Sequence, residues 1–203
     1  MKVTWNVRGL GKRIKRKVLR KMLLSVDPIL AFIQESKLEN VTPKLQNSFW
    51  SDNDLNIIAS PSNGSSGGLI SLWRPSKFQL TASRIETQWI GIEGIMVRED
   101  FQCLLINIYN SCDPLIRSNT WSAIEEFCNT SHLPILIAGD FNEVLIAKDR
   151  GSMVIDESSS AKFREFMSNL HLTEISPSNG YFTWFRGKSK SKLIEYLFNQ
   201  NGF

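Results

Sequence analysis

Four apolar segments of the sequence end in polar side chains of the kinds that bind cations or transfer protons. These side chains are Asn6, Glu35, Tyr109, Asn110, Asp140 and Asn142. Polar groups at the ends of strands gather at the rim of a sheet, where ligands bind, whereas strand interiors pack in the core. A rim that combines carboxylate, amide and phenol groups forms an oxygen-rich pocket. Such a pocket suits Mg²⁺, with Mn²⁺ as an alternative, because hard cations prefer carboxylates, phosphate oxygens and water.

Five of these residues also have an ordinary structural explanation. Glu35 fits a solvated turn, and Asn6 fits a turn amide. Asp140 and Asn142 fit the caps of a turn, and Tyr109 fits core packing with its hydroxyl satisfied. The functional interpretation therefore depends on all four segments ending at one place in the fold.

The elements that must position these side chains follow from the hydropathy pattern. Residues 1–7 alternate as a short strand, and a helix with two different faces comes next. One face of this helix is basic and carries seven Lys and Arg residues between Lys12 and Lys21. The predicted apolar face consists of Ile14, Val18, Leu19, Met22 and Leu23. Pro28 ends the helix, because the residue before a proline disfavours the helical conformation.

Further strands and helices follow in quick succession. The predicted strands are residues 29–34, 56–60, 67–73, 77–85, 88–97, 101–109 and 134–139, and the predicted helices are 43–48, 114–129 and 158–170. GYFTWF (180–185) and KLIEYLF (192–198) are predicted to be two strands joined by the basic turn RGKSKSK. The strand run 56–109 has no room for crossover helices, which weakens the alternative of a singly wound parallel sheet. The pattern indicates an α/β sandwich of two sheets packed face to face and covered by helices.

The composition restricts the class of protein. The 203 residues are 42% hydrophobic and 22% charged, which is typical of one globular domain. The net charge of +4 favours a polyanionic partner such as nucleic acid. The three cysteines lack metal-ligand spacing, and the sequence shows neither a signal peptide nor a membrane span. We therefore expect an intracellular protein of the nucleus or cytoplasm that is not secreted.

Six motifs occur in order along the chain: WNVRGLG, FIQESK, SGGL, INIYN, ILIAGDFNEVL and NGYFTWF. They resemble the motifs of the endonuclease/exonuclease/phosphatase superfamily, and are most similar to the apurinic-type endonuclease domain that begins plant LINE-type (non-LTR) retrotransposon polyproteins. The resemblance covers nearly the whole chain, taken as one domain over residues 1–203. It implies a four-layer α/β sandwich with two mainly antiparallel sheets and flanking helices. It also implies Mg²⁺-dependent hydrolysis of a phosphodiester bond in DNA.

The resemblance assigns a role to each candidate residue. It implies that Glu35 holds Mg²⁺, with Asn6 nearby to position the metal or the phosphate. Asp140, a second metal candidate, would orient or deprotonate the attacking water, and Asn142 would hold the phosphate or Asp140. Tyr109 would donate to the phosphate in the transition state. A metal that neutralises phosphate charge, beside a base that activates water, is a consistent mechanism for such hydrolysis.

The sequence departs from the family pattern in three respects. Ile194 stands where the family carries the aspartate of Ser-x-Leu-Asp-Arg, and Glu195 is no easy substitute because neighbouring residues of a strand face opposite sides. Arg8 stands where some relatives carry an acidic metal ligand, which argues against a second, tightly held metal. The Ser-Asp-His loop that ends the family domain does not occur before Phe203. We therefore expect a C-terminally truncated domain that lacks its last strand or strands, binds Mg²⁺ weakly and is impaired in catalysis.

Other functions stay open beside the nuclease. The alternatives are a non-catalytic nucleic-acid-binding remnant, a pseudogene product with no selected role, and a phosphatase of another phosphoester. If DNA binds, the expected contacts are Lys12, Arg13, Lys188 and Lys190. No obligate protein partner is evident, so we expect a monomer with an open sheet edge that is prone to aggregation.

The remaining histidines and tryptophans are assigned structural roles. His132 and His171 lack the neighbours of the family's catalytic histidine and are expected at the surface. Trp89, Trp121 and Trp184 offer flat faces on which bases could stack, but buried aromatic residues belong more often to the core. All three are therefore predicted to be packing residues.

Overall fold

The computed structural model describes residues 2–50, 54–64, 66–152, 154–175 and 180–199. The strands are β1 (Lys2–Asn6), β2 (Leu30–Gln34), β3 (Asn56–Asn63), β4 (Ser66–Trp73), β5 (Phe78–Ile85), β6 (Trp89–Met96), β7 (Phe101–Tyr109), β8 (Ile135–Asp140), β9 (Leu172–Glu174), β10 (Trp184–Arg186), β11 (Ser189–Ser191) and β12 (Ile194–Asn199). The helices are α1 (Arg13–Val26), α2 (Pro43–Phe49), α3 (Pro114–Ser131) and α4 (Glu157–Asn169), with a short 3-10 turn at Ala147–Asp149. None of the helices in these ranges is long and apolar enough to cross a membrane.

The strands form two large sheets. The first has the order β1-β2-β4-β3, and the second has the order β5-β6-β7-β8-β12-β9. The pairs β1–β2 and β7–β8 are parallel, and the other pairs in these sheets are antiparallel. The prediction of two mainly antiparallel sheets is therefore confirmed.

Three apolar layers separate the sheets and helices. Phe32 of the first sheet and Leu105 of the second are buried between the two sheets. Ile33, on the other face of β2, packs with residues of α1 and α2, and Ile106 packs with residues of α3 and α4. Since neighbouring residues on a strand face opposite sides, β2 and β7 each serve two of these layers. The result is the expected four-layer α/β sandwich.

The buried face of α1 differs from the predicted face. Leu19 and Leu23 are fully buried, but Ile14 is 64% exposed and Val18 is 51% exposed. Of the predicted face, Leu19, Met22 and Leu23 pack in the layer against the first sheet, whereas Ile14 and Val18 remain mostly exposed. Each fully buried leucine stabilises the folded state by about 1.5–3 kcal/mol. Leu19 and Leu23 therefore hold α1 against the first sheet.

The prediction for the C-terminal strands is confirmed only in part: strands overlap residues 180–185 and 192–198, as β10 and β12, but the segment between them carries an additional strand, β11. β10 pairs with β11, and this hairpin turns at Gly187 and Lys188 within the segment that was expected to be a plain turn. Gly187 has a φ of 57°, the left-handed conformation that glycine adopts without strain. β12 instead enters the second sheet between β8 and β9. Short-range patterns could not reveal this insertion, because the partners of β12 are distant in sequence.

A buried polar bridge joins the two sheets below the ends of β2 and β7. The Gln34 side-chain amide donates to Asn107 Oδ1 at 2.7 Å and to Thr4 Oγ1 at 2.8 Å. Asn107 Nδ2 in turn donates to the Ile70 carbonyl oxygen at 3.0 Å. The buried Gln34 Oε1 has no hydrogen-bond partner among the described residues, but the amide donors of Gln34 and Asn107 are paired, and shifting a partner would leave these donors unsatisfied as well. The bridge thereby fixes the relative position of the strand ends that carry the candidate site.

Candidate active site

Asp140 lies at the centre of the site. It is the last residue of β8, and its side chain is buried. Asn6, the last residue of β1 in the other sheet, donates from Nδ2 to Asp140 Oδ2 at 2.6 Å. The backbone N–H of Asn142 donates to Asp140 Oδ1 at 3.1 Å. Each carboxylate oxygen of Asp140 is therefore held by one donor, and the two sheets meet at this residue.

Tyr109 and Asn110 come to the same place from β7. Tyr109 is the parallel-strand neighbour of Asp140, and the Asn110 N–H donates to the Asp140 carbonyl oxygen at 2.8 Å. Asn142 adopts a left-handed φ of 50°, and its side-chain amide donates to the Asn110 carbonyl oxygen at 2.7 Å. Asparagine tolerates this conformation better than most residues. The Asn142 turn thus joins the ends of β7 and β8.

Glu35 comes to the site from the end of β2. Its φ is 52°, and its carbonyl oxygen accepts from the Gly9 N–H at 2.6 Å. The side chain is 17% exposed, and Oε1 lies 3.1 Å from Nζ of Lys37. The Glu35 carboxylate is close enough to raise the pKa values of both Tyr109 and Asp140. Asn6, Glu35, Tyr109, Asp140 and Asn142, predicted from four separate segments, are therefore brought together.

Burial sets the protonation states at the centre of the site. It raises the pKa of the Asp140 carboxyl to about 6, and the charge of Glu35 adds to this rise. The hydrogen bonds from Asn6 and Asn142 and the charge of Arg8 act in the opposite direction. Burial, with the charges of Glu35 and Asp140, also raises the pKa of the Tyr109 hydroxyl. At neutral pH Asp140 is therefore mostly ionised and able to accept a proton, whereas Tyr109 stays a hydrogen-bond donor.

Among the predicted site residues, Asn6 and Asp140 border a cavity of about 330 Å³, whereas Glu35, Tyr109 and Asn142 lie outside its lining in the described part of the chain. Its lining combines polar, basic and apolar groups and consists of Trp5, Asn6, Val7, Arg8, Lys15, Asp140, Thr183, Trp184 and Ile194. Ile194 is the cross-strand partner of Asp140, so it forms an apolar wall beside that carboxylate. The arrangement offers a base, neutral donors and two cationic side chains around a space that can hold a phosphate group.

Several residues of the site were not among the predicted site residues. Arg8 and Lys15 line the cavity, and Lys15 Nζ donates to the carbonyl oxygens of Val7 and Arg8. Arg8 could have been predicted to lie in the site, because it follows Asn6 by two residues just after the end of β1. Trp184 was predicted to be a packing residue, and this is wrong, because it is partly exposed and lines the cavity. A three-residue hairpin strand has too little apolar surface around it to bury an indole ring.

The predictions for the other two tryptophans are confirmed. Trp89 and Trp121 are buried in the layer beneath α3 and α4. His132 and His171 are exposed, as expected, and both border a second cavity of about 310 Å³ near the start of β8. Asp140 lies at the other end of the same strand. Within the described ranges, neither histidine therefore lines the candidate active site.

The predicted DNA-contact residues are exposed. Lys12 and Arg13 lie at the start of α1, and Lys188 and Lys190 lie on the β10–β11 hairpin. Other basic residues of α1 have internal partners. Arg16 Nη1 donates to the carbonyl oxygens of Leu10 and Gly11, both at 2.7 Å. The basic face of α1 therefore divides into residues available to a ligand and residues that hold the preceding loop.

The donor set fits a lightly coordinated Mg²⁺ ion. In the described part of the chain, no cluster of three or more Asp, Glu, His or Cys side chains is arranged to hold a metal. For such an ion Glu35 and Asp140 would supply two carboxylates, and Asn6 Oδ1, which accepts from the Arg8 N–H at 3.1 Å, would be a third oxygen nearby. Mg²⁺ is commonly bound by one or two carboxylates together with phosphate oxygens and waters. A cation here would thus depend on the substrate for part of its coordination.

The sequence profile of the endonuclease/exonuclease/phosphatase family matches residues 3–193. The chain belongs to this family. The matched segment contains all the residues that converge on the cavity except Ile194, which follows it directly. No curated protein matches the sequence of this family member significantly.

Solved structures show the same fold at low sequence identity. An AP endonuclease from Leishmania major superposes with a TM-score of 0.78 at 15% identity, over 97% of this chain and 78% of that one. An AP endonuclease from Archaeoglobus fulgidus gives a TM-score of 0.76 at 14% identity, over 97% and 86% of the two chains. The endonuclease domain of TRAS1, a telomere-specific non-LTR retrotransposon, gives 0.71 at 13% identity, over 98% and 85%. These similarities establish the sandwich fold of this family member.

Proposed function

We propose that this family member is a Mg²⁺-dependent phosphodiesterase domain that cleaves DNA, is of LINE-type retrotransposon origin, and has a reduced catalytic rate. The observation that supports this most is the setting of Asp140. It is a buried carboxylate held on both oxygens, beside a protonated tyrosine and a second carboxylate, on the wall of a cavity with basic residues. A non-LTR retrotransposon endonuclease domain among the structural neighbours supports the same substrate class.

Each side chain of the site has a separate role in the proposed hydrolysis. Asp140 accepts a proton from the attacking water, and Asn6 and Asn142 keep its carboxylate oriented for that transfer. The Tyr109 hydroxyl donates to a phosphate oxygen as negative charge develops there. Arg8 and Lys15, on the cavity wall, attract the phosphate backbone. When bound, Mg²⁺ would be held by Glu35 and would neutralise charge on the phosphate.

Ile194 accounts for the reduced rate. Its side chain lines the cavity opposite Asp140, where the family motif carries an aspartate. An isoleucine can neither accept a proton nor hold a donor in place. Losing one positioned acid or base lowers a rate by roughly 10²–10⁴-fold. We therefore expect slow turnover with binding retained.

Nicking of supercoiled plasmid DNA by the purified domain tests this function. We expect slow nicking that requires Mg²⁺ and stops in EDTA, and that falls by at least roughly 10²-fold in Asp140→Asn and Glu35→Gln. Glu39→Gln, at an exposed position shortly after Glu35, is the matched control and should nick at the wild-type rate. Nicking that survives in Asp140→Asn would show that a contaminant or a different site is responsible.

Non-catalytic nucleic-acid binding is the second candidate, and Ile194 is the observation that favours it. In that case the chain would bind DNA in a salt-sensitive way through its exposed basic residues. Binding would be indifferent to Mg²⁺ and to Asp140→Asn, and no nicking would be detected in either protein. The plasmid assay and a binding titration on the same preparations separate the two functions.

A further inference from the structure

Lys37 forms an ion pair with the carboxylate that the proposed function assigns to the metal. Its Nζ lies 3.1 Å from Glu35 Oε1. The two residues are separated only by Ser36, and both adopt a left-handed φ, 52° at Glu35 and 54° at Lys37. This uncommon backbone conformation brings both side chains to the same side of the turn that follows β2.

The surrounding structure holds the backbone of Lys37 and packs the first part of its side chain, and the ammonium end is left free to move. The Lys37 N–H donates to the Gly67 carbonyl oxygen at 3.0 Å, and the Ser36 N–H donates to the Gly68 carbonyl oxygen at 2.9 Å. The aliphatic stem lies against Gly9, where an added Cβ would be only 3.2 Å from Lys37 Cδ. Gly9 itself is held to Glu35 through its N–H. The backbone of Gly9, Gly67 and Gly68 therefore positions Lys37 so that its ammonium group lies beside Glu35.

The pair is nonetheless able to separate. The Lys37 side chain is 38% exposed and that of Glu35 is 17% exposed, so water can solvate the ammonium group when it leaves. Exposed ion pairs are weak, and a lysine on a flexible stem is a good point-charge partner for a phosphate. The candidate cavity, with Arg8 and Lys15 on its wall, lies at the same end of the sheets as Glu35.

We propose that Lys37 is a tethered cation that couples metal binding to substrate binding, an inference that rests on the proposed metal role of Glu35. Without a divalent ion, the ammonium neutralises Glu35. If Glu35 held a divalent ion, the Lys37 ammonium would leave the carboxylate and would be free to pair with a substrate phosphate. Because the phosphate captures the released group, DNA strengthens metal binding, and by thermodynamic reciprocity the metal strengthens DNA binding by the same factor.

Calorimetric titration of Mn²⁺ into the protein tests this coupling directly. The titration is done on the protein alone and on the protein saturated with a phosphorothioate-linked DNA duplex of about 12 base pairs, which resists hydrolysis. Lys37→Met keeps the stem over Gly9 and removes the charge, and Lys44→Met removes an exposed lysine on α2 as the matched control. Thermal unfolding of each variant by circular dichroism establishes that it is folded.

In the wild-type protein and in Lys44→Met, DNA should tighten Mn²⁺ binding by at least about fivefold. In Lys37→Met, Mn²⁺ should bind up to about fivefold more tightly without DNA, and the enhancement by DNA should fall towards one. Unchanged or weaker Mn²⁺ binding in Lys37→Met, or an unchanged enhancement by DNA, overturns the inference.

Glu35→Gln separates this inference from the function on which it rests. If Glu35→Gln binds Mn²⁺ as the wild type does, then Glu35 is not a metal ligand, and the proposed function loses its metal site. If Glu35→Gln abolishes Mn²⁺ binding but Lys37→Met leaves binding and coupling unchanged, the metal site stands and only the role of Lys37 is rejected.

Discussion

Ile194 and Asp140 are directly opposite each other in the antiparallel pair of β12 and β8, and both line the same cavity. Opposite residues of such a pair point to the same face of the sheet, with their Cβ atoms close together. A carboxylate at position 194 would therefore face the same cavity as Asp140. An isoleucine at this position leaves the site with one carboxylate fewer and an apolar wall.

Restoring that carboxylate should raise activity. Ile194→Asp is expected to increase the rate of Mg²⁺-dependent plasmid nicking by roughly 10²-fold, the lower end of what a positioned acid or base contributes. Ile194→Asn has a similar size and polarity but no charge, and it should remain near the wild-type rate. Equal rates for the two variants would mean that the charge at position 194 is not what limits the reaction.

Removing the Asn6 amide should impair Asp140 in two ways. Asn6→Ala takes away the 2.6 Å hydrogen bond that holds the carboxylate and lowers its pKa. We expect kcat to fall by roughly 10²–10³-fold and the acidic limb of the pH–rate profile to move to higher pH. Asn56→Ala, at the exposed start of β3, should change neither property. A lower rate with an unmoved pH profile would mean that Asn6 contacts the substrate rather than Asp140.

The raised pKa of Asp140 makes a prediction about stability. The folded-state pKa of about 6 lies above the ordinary value of 3.8, so the folded protein holds this proton more tightly than the unfolded chain. The stability that this proton contributes is fully present below pH 3.8 and is lost as the pH rises through 6. Asp140→Asn should therefore match the wild type near pH 4 and exceed it near pH 7 by up to roughly 3 kcal/mol. Urea unfolding at the two pH values measures this, and a gain that is equal at both would contradict it.

The ion pair of Arg117 and Glu143 should be essential to the loops around the site. The two side chains are buried, at 6% and 3% exposure, and Arg117 Nη2 lies 2.8 Å from Glu143 Oε2. Arg117→Met leaves a buried carboxylate without its cation and should lower the free energy of unfolding by about 3–5 kcal/mol. Glu86→Gln breaks an exposed pair with Arg84 and should cost less than about 1 kcal/mol. If urea unfolding gave similar losses of unfolding free energy for the two variants, the buried pair would contribute no more to stability than the exposed pair.

The exposed basic residues should determine the salt dependence of DNA binding. Replacing Lys12 and Arg13 by Gln, or Lys188 and Lys190 by Gln, removes two charges that face solvent. If each contacts a phosphate, the slope of log K against log[salt] should decrease in magnitude by about 1.8 for each double variant. Lys162→Gln, on the exposed face of α4, should leave the slope unchanged. An unaltered slope would exclude the altered pair from the DNA interface.

The sequence by itself was sufficient for the fold class and for the residues that the structure brings together at the candidate site. Apolar strands such as β2 and β7 carry their pattern locally, and polar residues at their ends mark the rim of a sheet. Asp140 and its partners were therefore predictable one segment at a time. The family resemblance of these motifs then indicated which chemistry they share.

Only the tertiary structure decided which surfaces these elements use and which residues complete the cavity. The insertion of β12 between β8 and β9, which aims Ile194 at Asp140, is a pairing between segments distant in sequence. Trp184 lines the cavity, and Ile14 remains exposed, because of how a hairpin and a helix dock. The ion pair of Lys37 with Glu35 depends on two left-handed residues and on a glycine from another loop. Hydropathy and propensity are local properties, whereas these contacts form between chain segments whose meeting is set by the packing of the whole domain.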